Sequence, residues 1–346
     1  MMKKIFALLM AVAMVATLAA CGGNTESSAP AAETSSEAAP ESSVAESSES
    51  TATAGGLKTG IGVVSNLTVE EAAAEINSVV AAVIVDGEGK IVACQIDEAQ
   101  TKPTIENGAV VEPTDLRTKQ EKQADYGMVG SSGIGKEWYE QADAFASYVV
   151  GKTADEVSAI EVTDGSPAEG TDLAASCTIG VDKFIEAVVK AVNNATEIGA
   201  QDGDKLGLAV TTEKFYESNE TNLQYDSTFT VVTVGADGKV TSCVVDIAQG
   251  KLPMDGGKFT GETGSYKSKK ELGDEYGMVS ASAIGKEWYQ QAAAFEAYVT
   301  GKTADEISAI ELTDGAPTAG TDLASGCTIT VTGLIANTVK AIGNAK

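Results

Sequence analysis

The side chains that could do chemistry are few in kind, because the 346 residues include no histidine. This absence excludes Ser-His-Asp and Cys-His hydrolases, and it excludes metal or haem sites built on His ligands. The sequence also has no Walker loop, nucleophile elbow or Asp-rich calcium loop, and no two carboxylates stand out as a general acid and base. We therefore expect no enzyme and no metal site.

Hydroxyl and thiol groups gather in two matching loops. Residues 171–179 read Thr-Asp-Leu-Ala-Ala-Ser-Cys-Thr-Ile, and residues 321–329 read Thr-Asp-Leu-Ala-Ser-Gly-Cys-Thr-Ile. Each loop precedes an apolar helical stripe, so we expect Thr178 and Thr328 just before a helix N-terminus. A hydroxyl there either caps the helix or sits among free backbone N–H groups that would stabilise a phosphodiester.

A long internal repeat carries both loops. When residues 135–178 are aligned with residues 285–328, 12 of the 44 positions differ. A repeat this long indicates a duplicated globular domain, since solenoid units run to about 20–50 residues. We place the two domains at residues 57–197 and 203–346.

Each repeat has the pattern of an α+β domain, in which a small antiparallel sheet carries helices on one side. β-Branched runs around the turns at residues 86–89 and 235–238 predict two hairpins, and shorter apolar pieces at 59–64 and 205–211 predict a third strand in each. Three helices are expected to follow in each repeat. Their signals are an apolar face (Trp138, Ala142, Phe145, Val149), capping boxes (Thr153 with Glu156, Thr303 with Glu306) and a final stripe (Phe184, Ile185, Val188, Val189, Val192).

With the Asp237-Gly238-Lys239 turn and the Gly-Lys-Thr helix start, the loops resemble the Asp-x-x-Ser-Gly-Ala-Thr loop of the FMN-binding domain family. That domain occurs in exported bacterial lipoproteins and in flavoprotein subunits of membrane electron-transfer complexes. In the family, a flavin transferase esterifies the last Thr of the motif with the FMN phosphate, and the flavin passes electrons. The resemblance implies a flavin acceptor at Thr328, with Asp322, Ser325 and Gly326 around it, and another at Thr178, with Asp172.

The resemblance also implies partners and a ring site. The partners would be the flavin transferase and other surface redox proteins or a quinone-linked donor. Aromatic side chains could stack on the flavin ring, although such residues are more often part of a core; they are Tyr126, Trp138, Tyr139, Tyr276, Trp288 and Tyr289.

The loops depart from the family motif. Cys177 and Cys327 stand where the family has Ala, and the first loop also has Ala175-Ser176 where the family has Ser-Gly. Since glycine permits turns that other residues resist, we expect the first loop to be the poorer acceptor. The alternative function is a non-catalytic extracytoplasmic binding or structural lipoprotein that has lost the cofactor.

Each repeat has one strand cysteine and one loop cysteine at matching positions. In an exported protein this arrangement suggests disulfides between Cys94 and Cys177 and between Cys243 and Cys327. Two alternatives stay open: buried free thiols, and a redox-active pair, which the lack of a Cys-x-x-Cys motif disfavours.

The N-terminus reads as an export signal. Lys3 and Lys4 precede an apolar run that ends in Leu18-Ala19-Ala20-Cys21, which resembles the bacterial lipobox. The resemblance implies cleavage after residue 20 and a lipid on Cys21, which would anchor the protein to the outer face of the cell membrane. An ordinary signal peptide with an incidental Cys is the alternative.

A spacer rich in Ser, Thr, Ala and Glu completes the segment 21–56. It lacks apolar periodicity, so we expect a disordered tether. The whole chain has 24 Lys and Arg against 50 Asp and Glu, a formal net charge of -26. Such a charge repels phosphate backbones, so nucleic acid is not an expected partner.

Overall fold

The computed structural model describes residues 56–346, all of which belong to one compact unit. The predicted signal peptide, Cys21 and the predicted tether up to residue 55 lie outside the described residues. Along the chain the strands are β1 (Lys58–Val69), β2 (Ala74–Val85), β3 (Ile91–Thr101), β4 (Thr104–Glu106), β5 (Ala109–Val111), β6 (Val162–Thr163), β7 (Ser166–Pro167), β8 (Lys205–Lys214), β9 (Asn222–Val234), β10 (Val240–Asp255), β11 (Lys258–Phe259), β12 (Gly264–Tyr266), β13 (Leu312–Thr313) and β14 (Ala316–Pro317). The α-helices are α1 (Lys119–Lys122), α2 (Trp138–Tyr148), α3 (Ala154–Ser158), α4 (Asp182–Asn193), α5 (Lys269–Leu272), α6 (Trp288–Val299), α7 (Ala304–Ser308) and α8 (Thr332–Gly343).

Two antiparallel sheets contain the long strands. The first has the order β12-β1-β2-β3 and the second β11-β10-β9-β8. Both predicted hairpins and both predicted third strands are present. In the first hairpin, Asp86 Oδ1 accepts from the backbone N–H groups of Glu88 and Lys90, which closes the turn. The α+β fold class, with antiparallel sheets and helices, is confirmed.

The short strand β12 comes from the second repeat but pairs with β1 of the first. Its register joins Ser65 to Tyr266 and Leu67 to Gly264. One sheet therefore contains chain from both sides of the predicted domain boundary. The division at residues 197 and 203 stays a prediction from the sequence repeat.

The two sheets pack face to face through an apolar layer. The side chains of this layer are buried and come from both sheets: Ile61, Val63, Val80, Ala82, Ile84 and Ala99 from the first, with Leu206, Leu208, Val210, Phe229, Val231, Val244 and Ala248 from the second. Hydrogen bonds also join the two sheets, because the Gln95 side chain of β3 donates to Leu206 O of β8 at 2.7 Å and accepts from Leu208 N at 3.1 Å.

Helices cover the outer face of each sheet. The predicted face of α2 is buried, with Phe145 and Val149 fully enclosed in the first helix–sheet core. Both predicted capping boxes are present, at Thr153 and at Thr303. The architecture is therefore four layers, helices–sheet–sheet–helices, and both motif loops lie between outer helices, where they contact solvent.

Candidate functional site

Each motif loop forms a single turn of 3-10 helix, followed by irregular backbone. The turns run from Leu173 to Ala175 and from Leu323 to Ser325, and the next helices begin only at Asp182 and Thr332, four residues after each motif Thr. The expected position of Thr178 and Thr328 beside a helix N-terminus is therefore wrong, and so is their alternative role as N-caps. The N-cap residues are Val181 and Val331 instead.

A buried glutamine of α2 holds the first motif threonine. The side-chain oxygen Oε1 of Gln141 accepts from Thr178 N at 2.8 Å and from Thr178 Oγ1 at 3.2 Å. Gln141 is fully buried, and its Nε2 group donates to Ser132 Oγ and Lys136 O at 3.2 and 3.0 Å. Because both ends of the amide are engaged, its orientation is fixed and its oxygen faces the threonine.

The second repeat has the same arrangement in α6. Gln291 Oε1 accepts from Thr328 N at 2.8 Å and from Thr328 Oγ1 at 3.1 Å, while its Nε2 donates to Ser282 Oγ at 3.0 Å and Lys286 O at 3.1 Å. Each hydroxyl thus donates its proton to an amide oxygen and keeps its own lone pairs free. Thr178 is exposed and Thr328 is half-buried, so both residues contact solvent.

Sequence reasoning missed the two glutamines. Each lies on the otherwise apolar inner side of its helix, beside Trp138 and Ala142 in the first repeat. A polar residue at an inward position of an amphipathic helix, in both repeats, is the signal that could have found them.

The other motif residues have structural roles. Asp172 and Asp322 are exposed, and Ser325 Oγ donates to Asp322 O at 2.7 Å. Gly326 has φ -116°, and Ser176 at the matching position has φ -125°. The expectation that losing the glycine restricts the first loop is therefore wrong, because both residues share one ordinary backbone conformation.

Close packing explains the glycine. A Cβ on Gly326 would lie 2.9 Å from the Ala294 Cβ of α6. The absence of a side chain lets this loop approach the helix, and no special turn is involved.

A cavity of about 370 Å³ opens beside the first motif threonine. Ile179 and Gly180, the two residues after Thr178, form part of its wall. The remaining lining combines apolar, aromatic and charged side chains: Val79, Glu98, Lys119, Tyr126, Met128, Trp138, Asp182, Lys183 and Phe184. Its size falls within the range of about 300–1,000 Å³ that is usual for small-molecule sites.

A lysine lies over two aromatic rings in this cavity. Lys119 Nζ is 5.0 Å from the ring centre of Tyr126 and 5.3 Å from that of Trp138. It also forms a buried ion pair with Glu98, at 2.7 Å between Nζ and Oε1. Burial alone would lower the pKa of Lys119, but the charge and hydrogen bond of Glu98 outweigh it and raise that pKa.

The same stack recurs in the second repeat with a different partner. Lys269 Nζ lies 5.0 Å from the Tyr276 ring centre and 5.2 Å from that of Trp288. Here Ile247 occupies the position that corresponds to Glu98, at the offset of 149 residues that relates these strands. Burial lowers the pKa of Lys269.

The predicted ring-stacking residues divide into two groups. Tyr126 and Trp138 line the cavity, although Trp138 is also part of the core and packs edge-on against Phe184 at 5.7 Å. Tyr139 packs against the first core instead, and the Tyr289 hydroxyl donates to Asp274 at 3.2 Å.

The four cysteines of the described chain are free thiols, so the predicted disulfides Cys94–Cys177 and Cys243–Cys327 are wrong in this structure. Cys177, Cys243 and Cys327 are buried and Cys94 is half-buried, each against a helix–sheet core. Burial raises the pKa of Cys94 to about 12, and that of Cys177 and of Cys327 to about 11. Thiols held in this form pack as small apolar side chains, which is the free-thiol alternative.

Within residues 56–346, no group of three or more Cys, Asp or Glu side chains is arranged to hold a metal ion. In the same range, no helix is both long enough and apolar enough to cross a membrane.

Comparison with known proteins gives one partial match. A segment of 43 residues is 44% identical to a protein named chlorophenol reductase from Desulfitobacterium hafniense; it covers 12% of this chain and 13% of that protein. The chain thus spans about an eighth of that relative's length. No family model matches the chain, and no solved structure matches it.

Proposed function

We propose that the protein is a membrane-anchored extracytoplasmic lipoprotein that carries FMN on Thr328 and on Thr178 and passes electrons between redox partners. The observation that carries the proposal is a repeated one. In both halves, a motif threonine has its hydroxyl oriented by a fully buried glutamine, Gln141 or Gln291, and a lysine over two aromatic rings lies in the same half.

The residues present fit an esterified flavin. Oγ1 of each threonine would form the bond to phosphorus, with the loss of one water overall. In the first half, the adjoining cavity offers the Tyr126 and Trp138 rings as apolar walls and Lys183 as a cation, while Lys119 is paired with Glu98. When bound, the flavin would supply one- and two-electron transfer.

The cysteine that departs from the family motif does not obstruct this use. Cys177 and Cys327 are fully buried against the cores, whereas Thr178 is exposed and Thr328 is half-buried. Replacement of the motif Ala by Cys therefore changes the packing beneath the loop and leaves the hydroxyl accessible. The partial match to a protein named as a reductase supports a redox role.

The test is flavin attachment. The exported protein is produced together with a flavin transferase, denatured, and examined by intact mass and by absorbance. We expect a gain of one FMN less water for each occupied threonine. Thr328→Ala and Thr178→Ala should each remove one such gain, and the double variant should remove both.

Two controls sharpen this test. Ser325→Ala alters a neighbouring hydroxyl that is bonded to Asp322 O, and it should leave both attachments intact. A colourless protein without any mass gain contradicts the proposal and supports the alternative of a binding or structural lipoprotein without flavin.

A further inference from the structure

The two halves differ in one buried charge. In the first half, the side chains of Lys119 and Glu98 are each 9% exposed and form an ion pair, and Asn77 also donates to Glu98. In the second half, Lys269 is equally enclosed and stacked in the same way, but the residue at the position of Glu98 is Ile247. Lys269 has no ion pair with any carboxylate in residues 56–346.

The charged groups around Lys269 are already engaged. Asp226 accepts from Gln224 and Gln249, at 2.6 and 3.0 Å. Asp246 accepts from the Ser268 hydroxyl at 2.6 Å and from two backbone N–H groups. Lys251, a like charge, opposes the protonated form of Lys269.

An enclosed ammonium without a paired anion is unfavourable, because it has lost water and the charges of Asp226 and Asp246 compensate that loss only in part. A ligand that brings negative charge to the Tyr276 and Trp288 rings would remove that disadvantage. In the first half the corresponding lysine is already paired with Glu98, so a negative ligand would gain little from it.

We infer that the second-half site stabilises a negatively charged planar ring and that the first-half site does not. This inference rests on the proposed function and refines it: the flavin on Thr328 has the higher reduction potential of the two. Two electrons and one proton convert the oxidised ring to an anionic reduced ring, whereas two electrons and two protons give the neutral reduced ring. Lys269 favours the first product, and the Lys119–Glu98 pair favours the second.

The asymmetry gives electron flow a direction. At equilibrium, electrons from a redox partner would be found mainly on the second-half flavin, because that site stabilises the reduced form more strongly. A tenfold difference in the equilibrium constant for reduction corresponds to about 30 mV for a two-electron couple.

The experiment uses the two single-site proteins. Thr178→Ala keeps only the second-half acceptor and Thr328→Ala only the first, and intact mass establishes one FMN on each before any titration. Their potentials are then measured by reduction with dithionite against indicator dyes over pH 6–9. We expect the higher potential for the Thr178→Ala protein, with one proton taken up per two electrons instead of two.

Two substitutions exchange the charge patterns. Ile247→Glu in the Thr178→Ala protein should lower its potential towards that of the other site, and Glu98→Gln in the Thr328→Ala protein should raise its potential. If Ile247→Glu prevents folding, Lys269→Met removes the charge without adding a carboxylate and should also lower the potential, while Lys269→Arg should preserve it.

The outcomes distinguish failure of the proposed function from failure of this inference. A protein that gains no FMN overturns the proposed function and this inference with it. If FMN is attached at both sites but their reduction potentials are equal, this inference alone is overturned. The same holds if none of these substitutions changes a reduction potential.

Discussion

The threonine–glutamine pair joins two elements that are far apart in the sequence, since Gln291 and Thr328 are 37 positions apart. Gln291 satisfies both the backbone N–H and the hydroxyl of Thr328 with one oxygen. Under the proposed function, the buried amide would position the acceptor and would not itself react.

Gln291→Met, which keeps the volume and removes the acceptor, should slow attachment of flavin at Thr328. A hydrogen bond of this kind is worth about 1 kcal/mol, so the initial rate should fall about fivefold. Thr178, still held by Gln141, serves as an internal reference in the same molecule. A ratio of the rates at Thr328 and Thr178 that is the same in the variant and in the parent protein would show that Gln291 does not position the acceptor.

Two buried aspartates make stability depend on pH. Burial raises the pKa of Asp97 and of Asp246 to about 6, against 3.8 in an exposed chain, although hydrogen bonds partly oppose the shift. Because the folded state binds the proton more tightly, each carboxyl contributes stability that is present below about pH 4 and lost as the pH rises to about 6. The loss is on the order of 3 kcal/mol for each group.

Asp246→Asn should remove half of this dependence. Relative to the parent protein, the variant should gain free energy of unfolding between pH 4 and pH 6, as measured by urea titration at several pH values. Asp97→Asn is the matched control and should behave alike. A difference that stays constant over this range would contradict the shifted pKa.

At the residue scale, the sequence predicted the loops, their threonines and the buried aromatic face of α2. It could not predict that Gln141 contacts the loop or that Lys119 lines the cavity. Those contacts join separate elements and therefore leave no local periodicity in the sequence. The disulfide prediction failed for a related reason: matched positions of Cys94 and Cys177 show a repeat but do not show that the two sulfurs can bond.

At the element scale, close contact between a helix and a strand positions the helix that follows each loop. A Cβ on Gly62 of β1 would lie 2.0 Å from Ala187 O of α4, and one on Gly60 would lie 2.0 Å from Ala191 O. The Asn194 side chain, beyond the end of α4, also donates to Ile61 O at 3.2 Å. Glycine therefore allows α4 to lie directly on the strand.

Gly62→Ala should force the helix away from β1. Overpacking of this kind typically lowers the free energy of unfolding by about 1–3 kcal/mol, which chemical denaturation would measure. Gly133→Ala, at a position where a Cβ meets no atom within 4 Å, is the control and should change little. Equal free energies of unfolding for the two variants would mean that α4 can move away from β1 without destabilising the protein.

The sequence predicted the strands and helices well because their signals are local. The hairpin turns, the capping boxes and the apolar stripe of α4 each lie within a few residues. The strand limits were less well predicted, since β2 and β3 extend to Ala74 and Thr101, beyond the apolar runs that identify them.

At the scale of the whole molecule, both faces of the first sheet are covered. Every residue from Asn77 to Val85 of β2 is buried, and successive side chains point alternately into the helix layer and into the layer between the sheets. A continuous apolar run of this kind indicates burial on two sides. The sequence therefore indicated that the sheet is covered on both faces, but it did not identify the second sheet as the element that packs on one of them.

Ile84→Ala should destabilise both halves together, because Ile84 lies in the layer that the two sheets share. We expect a loss of about 2–5 kcal/mol and one thermal transition that moves as a whole. Val92→Ala, at a side chain that is 46% exposed, should have little effect. Separate transitions for the two halves would contradict this shared core.

The pairing of β12 with β1 also sets an order of assembly. Strand β1 is complete about 200 residues before the chain reaches Gly264–Tyr266, so a chain that emerges from its N-terminus exposes an open sheet edge during that interval. The first sheet can close only when the second half has begun to fold against it. Under the proposed function, a flavin transferase would therefore meet the first-half site beside a completed sheet only after the second half has been made.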